Sequence, residues 1–184
     1  MVASAAFLFS CNTKTGQKSP DSLTVEQARQ DSIEDSQIKG YEIKLLEGEN
    51  KNNGITNIEY QSLSQLIEEE NKKAVKEMTK KEDLNFLILS YKTTSMGGAI
   101  SLHIDRETIG MANTKWFSII VKDKNEKEMY RKALDESVPY SNAVKTWSNI
   151  TICSVNQKIK TPFFVYVIDK FADKPFKFEV TTMK

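Results

Sequence analysis

Histidine, cysteine and glycine are scarce in this chain of 184 residues, which holds one His, two Cys and seven Gly. One histidine and two cysteines cannot build a zinc centre without several carboxylates. Few glycines leave little material for phosphate-cradling loops, and Gly97-Gly98 is followed by neither a GK[ST] nor a helix start. An excess of one charge is missing too: 26 Lys+Arg meet 25 Asp+Glu, for a net +1. Nucleic-acid binding draws its affinity from clustered cations, so no nucleic-acid partner is expected. No apolar run reaches the roughly 20 residues that cross a bilayer as a helix. What is present, 39% hydrophobic and 28% charged residues, is ordinary for a globular domain and excludes a fibre, a disulfide scaffold and a wholly disordered chain. No metal and no cofactor is expected.

The first eleven residues carry a compartment signal. Residues 1–10, MVASAAFLFS, are apolar or small, and the chain turns polar directly after Cys11. Such a segment reads as the apolar core of a secretion signal, to be set aside before the fold is considered. Leu8-Phe9-Ser10-Cys11 resembles the lipobox of bacterial lipoproteins. That resemblance implies that Cys11 is the lipidation site and first mature residue, and that a membrane is a partner through its acyl chains. Each buried methylene contributes about 0.8 kcal/mol, and two or more chains give lasting attachment. Lys14 and Lys18 follow Cys11, and the first acid is Asp21. Surface-exported lipoproteins of some Gram-negative bacteria carry acids there, so the resemblance implies a cell-envelope protein on the periplasmic face of the outer membrane. With Cys11 acylated, Cys153 is left unpaired, and its neighbours Ile150, Ile152 and Val155 suit a buried strand. A Cys11–Cys153 disulfide is the alternative.

Behind the signal, residues 11–40 hold few large apolar side chains and read as a solvated tether, with transient helix across 24–37. A single β-rich domain is expected over 41–184. Tyr41, Ile43 and Leu45 alternate with charged residues at strand spacing, and Asn52-Asn53-Gly54 marks a turn toward a strand at 55–60. Ser62 and Gln65 fit a capping box, and an interrupted stripe of Leu63, Leu66, Ile67, Ala74, Val75 and Met78 predicts one amphipathic helix at about 62–81. Its acids and lysines balance closely enough to favour a solvated outer face over membrane contact. LNFLILSY at 84–91 reads as a central strand covered on both faces. Further strands are expected at 100–105, 117–121, 147–155, 162–171 and 175–183, with a DKNEK turn at 123–127 leading into another. The sum predicts a mainly β protein, an antiparallel β-sandwich of seven to nine strands with one early helix. A helix packed on a curved antiparallel sheet, an α+β arrangement, is the alternative.

Chemistry is thinly supported. Ser101, His103 and Asp105 fall at i, i+2 and i+4 on one strand face, yet same-face neighbours lie ~6.5–7 Å apart and no G-x-S-x-G elbow is present. Asp123, Asn125, Glu126 and Glu128 lack the spacing of a calcium loop and read as a hairpin turn. Phe163, Phe164 and Tyr166 read as core rather than as a stacking platform, and Trp116 and Trp147 as caps on the ends of the core. The loops at 107–114 and 135–146 have no evident structural reason for their length, and long loops on a rigid scaffold concentrate recognition residues. Tyr140, Met111 and Met96 are therefore the candidate partner contacts, and no catalytic residue is nominated. The reading is a lipid-anchored envelope protein with a non-catalytic protein-binding domain, of assembly, structural or immunity type. An envelope hydrolase and a carrier of a small lipophilic ligand are the alternatives.

Overall fold

The computed structural model describes residues 38, 40–50, 54–142 and 145–183. Cys11, the signal segment, the tether up to residue 37 and the Asn52-Asn53 pair lie outside the described residues.

Alternation of apolar and polar side chains builds the scaffold. In β3 (Ala99–Arg106) Ile100, Leu102 and Ile104 point inward and Ser101, His103 and Asp105 outward. The same period runs through β4 (Phe117–Asp123), β8 (Phe163–Asp169) and β9 (Phe176–Thr182). Together with β1 (Tyr41–Glu47) and β5 (Glu128–Ala133) these last three form an antiparallel sheet in the order β1-β9-β8-β4-β5. The second antiparallel sheet runs β2-β3-β7-β6, with β2 at Ile55–Gln61, β6 at Tyr140–Ser141 and β7 at Trp147–Ser154. The inner faces of the two sheets share one core: Ile58, Ile100, Leu102 and Cys153 from one, and Phe117, Val121, Phe163, Val165 and Phe178 from the other. Among the described residues the protein is thus a nine-stranded antiparallel β-sandwich with open sheets, as expected.

Three details depart from expectation. The strands at 41–47 and 55–61 do not form a hairpin, because β1 pairs with β9 and β2 with β3, in different sheets. Phe164 and Tyr166 are not core. Only Phe163 of that trio is buried, and the other two face outward, where the Lys177 ammonium lies 4.5 Å and 5.3 Å from their ring centroids.

The third departure is the largest. There are two described helices, α1 at Leu63–Glu77 and α2 at Lys81–Thr94, and α2 takes up the run 84–91 that alternation-blind reading makes a strand. The capping box at Ser62 and Gln65 starts α1, and Met78 ends it in the left-handed region at φ 54°. Of the eight residues 84–91 only Ile88 is β-branched, and Glu82 and Asp83 sit in the first turn of α2, where acids complement the helix dipole. Leu84, Leu87, Ile88 and Tyr91 recur at i, i+3, i+4 and i+7, and the Tyr91 hydroxyl donates to Glu70 of α1 at 3.1 Å. The two helices therefore form an antiparallel hairpin inserted between β2 and β3. It closes on a tight turn in which a Cβ on Gly97 would lie 2.1 Å from the Gln157 carbonyl oxygen, and Gly98 has φ +84°.

The Cys153 thiol is free and fully buried, and burial pushes it above its ordinary pKa of 9.0. Burial likewise pushes the Tyr130 phenol, 3.4 Å from Cys153 Sγ, well above its ordinary 10.0. Both acids are held neutral by the fold. Their stabilising contribution is complete below the unfolded-state values and is lost as pH rises through and past them. Denaturant melts are expected to hold steady to about pH 8 and weaken progressively above about pH 9. Cys153→Val should reduce the slope, and the native thiol should resist alkylation at pH 8 until the domain is unfolded.

Candidate functional site

The two ends of the sandwich differ. At one pole β1 and β9 meet near Tyr41, whose ring stacks edge-on against Tyr60 at 4.7 Å, and the α-hairpin emerges from Gln61 and returns at Ala99. At the other pole β3 ends at Arg106 and β8 ends at Asp169, one strand from each sheet. Their side chains form an ion pair of 2.7 Å with side-chain exposures of only 5% and 4%. A guanidinium taken out of water needs its donors engaged. Arg106 Nη1 donates to the Ile55 and Asp105 carbonyls at 2.6 and 2.8 Å, and Nη2 to Thr56 Oγ1 and Asp169 Oδ2, both at 2.7 Å. The guanidinium also lies 5.2 Å from the centroid of the Phe117 ring, and Asp169 Oδ1 accepts the Phe171 N–H. The pair is a buried, hydrogen-bonded cross-link between the sheets.

Above this floor opens a cavity of about 820 Å³. Its walls come from the β1–β2 connection, the loop after β3 and the β8–β9 turn. Met111, Phe171 and Phe176 supply apolar surface, while Glu49, Glu107 and Asp173 outnumber Lys174.

The two loops singled out in the sequence flank this pole together. Asn113 Nδ2 donates to Glu136 at 2.8 Å, and Lys115 pairs with the same carboxylate at 2.7 Å. The buried Asn149 side chain donates to the carbonyls of Ala112 and Ser137, one in each loop. Thr114 Oγ1 donates to the Asp135 carbonyl. Trp116 braces the first loop through its Nε1–H to the Gly110 carbonyl and an edge contact with Phe171.

The three candidate contacts are not brought to one place. Met111 lines the cavity. Tyr140 is exposed on β6, at the edge of the four-stranded sheet and opposite Ser148. Met96 is exposed in the turn after α2, at the opposite pole. The Ser101–His103–Asp105 row lies on the outer face of the four-stranded sheet. His103 Nε2 is 3.6 Å from Glu59, and Asp105 accepts bonds from the Ser148 hydroxyl and from Asn142 Nδ2. None of the three lines the cavity. Among the described residues no group of three or more His, Cys, Asp or Glu is placed to hold a metal ion. Sequence reading missed Arg106 and Asp169, although a lone arginine at the inward register of an apolar strand, Ile100-x-Leu102-x-Ile104-x-Arg106, is a signal that a buried partner is required.

No family model, curated protein or solved structure matches this chain.

Removing one partner of the ion pair leaves a buried charge uncompensated. Asp169→Ala and Arg106→Ala are each expected to lower unfolding free energy by about 3–5 kcal/mol in urea titrations. The apolar double variant Arg106→Met/Asp169→Leu should recover most of that loss, because it removes both desolvated charges at once.

Proposed function

We propose that this chain is a lipid-anchored cell-envelope protein whose β-sandwich is a non-catalytic binding module, presenting the Arg106–Asp169 pole to a protein partner. One observation carries the reading: two loops, the first of which supplies Met111 to the cavity wall, are tied to each other by side-chain hydrogen bonds, beside a floor whose ion pair is engaged on both sides. A pre-ordered loop pair loses little conformational freedom on binding, which is how rigid scaffolds gain affinity. The lining suits a lysine or arginine side chain from the partner, its stem against Met111 and Phe171 and its charge toward Asp173. The lipobox-like Leu8-Phe9-Ser10-Cys11 supports placement on the periplasmic face of the outer membrane, where confinement to a surface raises effective concentration toward neighbours.

The alternatives have less behind them. A hydrolase built on His103 would need that histidine in the cleft, and His103 sits on the outer face of a sheet. A lipophilic-ligand carrier needs room between the sheets, and that space holds the fully buried Phe117, Phe163 and Phe178 with their aliphatic neighbours.

Expression in the host with labelled palmitate is expected to give an acylated mature N-terminus at Cys11, and Cys11→Ser should abolish the label. Cross-linking in the envelope should recover a partner that Met111→Asp and Phe171→Asp weaken by roughly tenfold or more while leaving the melting temperature intact. Unchanged recovery with both variants would remove the cavity from the interface.

A further inference from the structure

The hairpin α1–α2 carries apolar surface that the fold does not cover. Its helices pack on each other and make no more than marginal contact with any strand. Helix α2 holds Leu84, Phe86, Leu87, Ile88, Leu89 and Tyr91, yet none of its residues is buried. Leu84, Leu87, Ile88 and Tyr91 form the stripe toward α1, so Phe86 and Leu89 are left as apolar groups in water. The exposed apolar groups gather toward the far end: Met78 at the turn is 91% exposed, Val75 83% and Phe86 76%. The Tyr91–Glu70 hydrogen bond sets the helical register and puts Phe86 level with Val75, about one turn behind the tip. Acids and lysines balance over 62–83 as a whole, but Glu68, Glu69 and Glu70 stand toward the base of the hairpin, where Glu68 pairs with Lys72 at 2.6 Å. Nearer the tip are Lys73, Lys76, Lys80 and Lys81, with Glu77, Glu82 and Asp83 among them.

The position of the hairpin gives this surface a direction. It leaves the sandwich at the pole where Tyr41 meets Tyr60, the pole at which the described chain begins. Fewer than thirty residues separate Ile38 from Cys11, a connection spanning at most about 100 Å. Helix α1, 15 residues and about 22 Å long, extends from that same pole. We infer that the hairpin tip is a membrane-surface contact, seating Met78, Val75 and Phe86 among anionic lipid headgroups with the lysines paired to their phosphates. The inference takes its orientation from the lipid-anchored reading. It adds a second, non-covalent attachment that stands the sandwich upright and turns the Arg106–Asp169 pole away from the bilayer. Exposed Lys side chains beside apolar groups are the chemistry that interfacial helices use, and binding of that kind weakens with salt.

The test uses the full chain carrying Cys11→Ser, which cannot be acylated, so its result does not depend on whether Cys11 is the anchor; that question is answered by the palmitate label alone. Flotation with vesicles containing phosphatidylglycerol is expected to carry this chain, with roughly tenfold less bound to pure phosphatidylcholine vesicles or at high salt. Met78→Asp/Phe86→Asp, at solvent-exposed positions, should abolish flotation without shifting the melting temperature. A fluorophore on Met78→Cys should blue-shift with the anionic vesicles, while one on Val138→Cys, exposed in the 135–146 loop, should not; the buried Cys153 stays unlabelled. No flotation with the anionic vesicles, equal binding to both lipids, or a silent probe at position 78 would overturn the inference. So would a dimer dissolved by Met78→Asp/Phe86→Asp, because a second copy would then cover the tip.

Discussion

A charge buried between two sheets governs the architecture of this protein. Arg106 arrives at the inner face because β3 keeps strict alternation through Ile100, Leu102 and Ile104, so the next inward position falls to a guanidinium. Desolvating that group is tolerable only with a carboxylate and several carbonyl or hydroxyl acceptors in reach. Asp169 from the facing sheet and Ile55, Asp105 and Thr56 from the strand ends provide them. The pair therefore fixes how the two sheets meet at that pole. The loops that follow β3 and β8 must leave around it, and the cavity is the space they enclose.

The two poles of the sandwich differ in what they present. One pole is rigid, with loops tied by Asn149, Thr114 and Trp116, and offers a pocket of apolar walls and acidic rim. The other bears a helical hairpin that the sandwich does not need for its own core. In the proposed arrangement these ends face partner and membrane respectively.

Much of the sandwich was legible in the sequence, because period-two alternation over β3, β4, β8 and β9 is a direct imprint of a half-buried strand. Cys153 read as buried, and it is, on the inner face of β7, but Ile150 and Ile152, which were read as marks of a buried strand, lie exposed on the other face. The capping box at Ser62 was readable for a similar reason, since it is made within four residues. The run 84–91 was misread because a short stretch with apolar residues in every register satisfies strand and helix alike. Its helical stripe of Leu84, Leu87, Ile88 and Tyr91 acquires meaning only against α1. Phe164 and Tyr166 were assigned to the core on type alone, whereas the strand pleat sends them outward to Lys177.

The sequence by itself determined the class of fold, most of the strands and the lipobox-like start, since each depends on side-chain periodicity or on a few adjacent residues. Only the tertiary structure decided which strands share a sheet, that β1 and β2 part company, that Arg106 meets Asp169 across sixty-three positions, and that Met111, Tyr140 and Met96 stand apart. Those outcomes come from long-range pairing and from desolvated charge finding its complement. Neither leaves a local trace in the order of the residues.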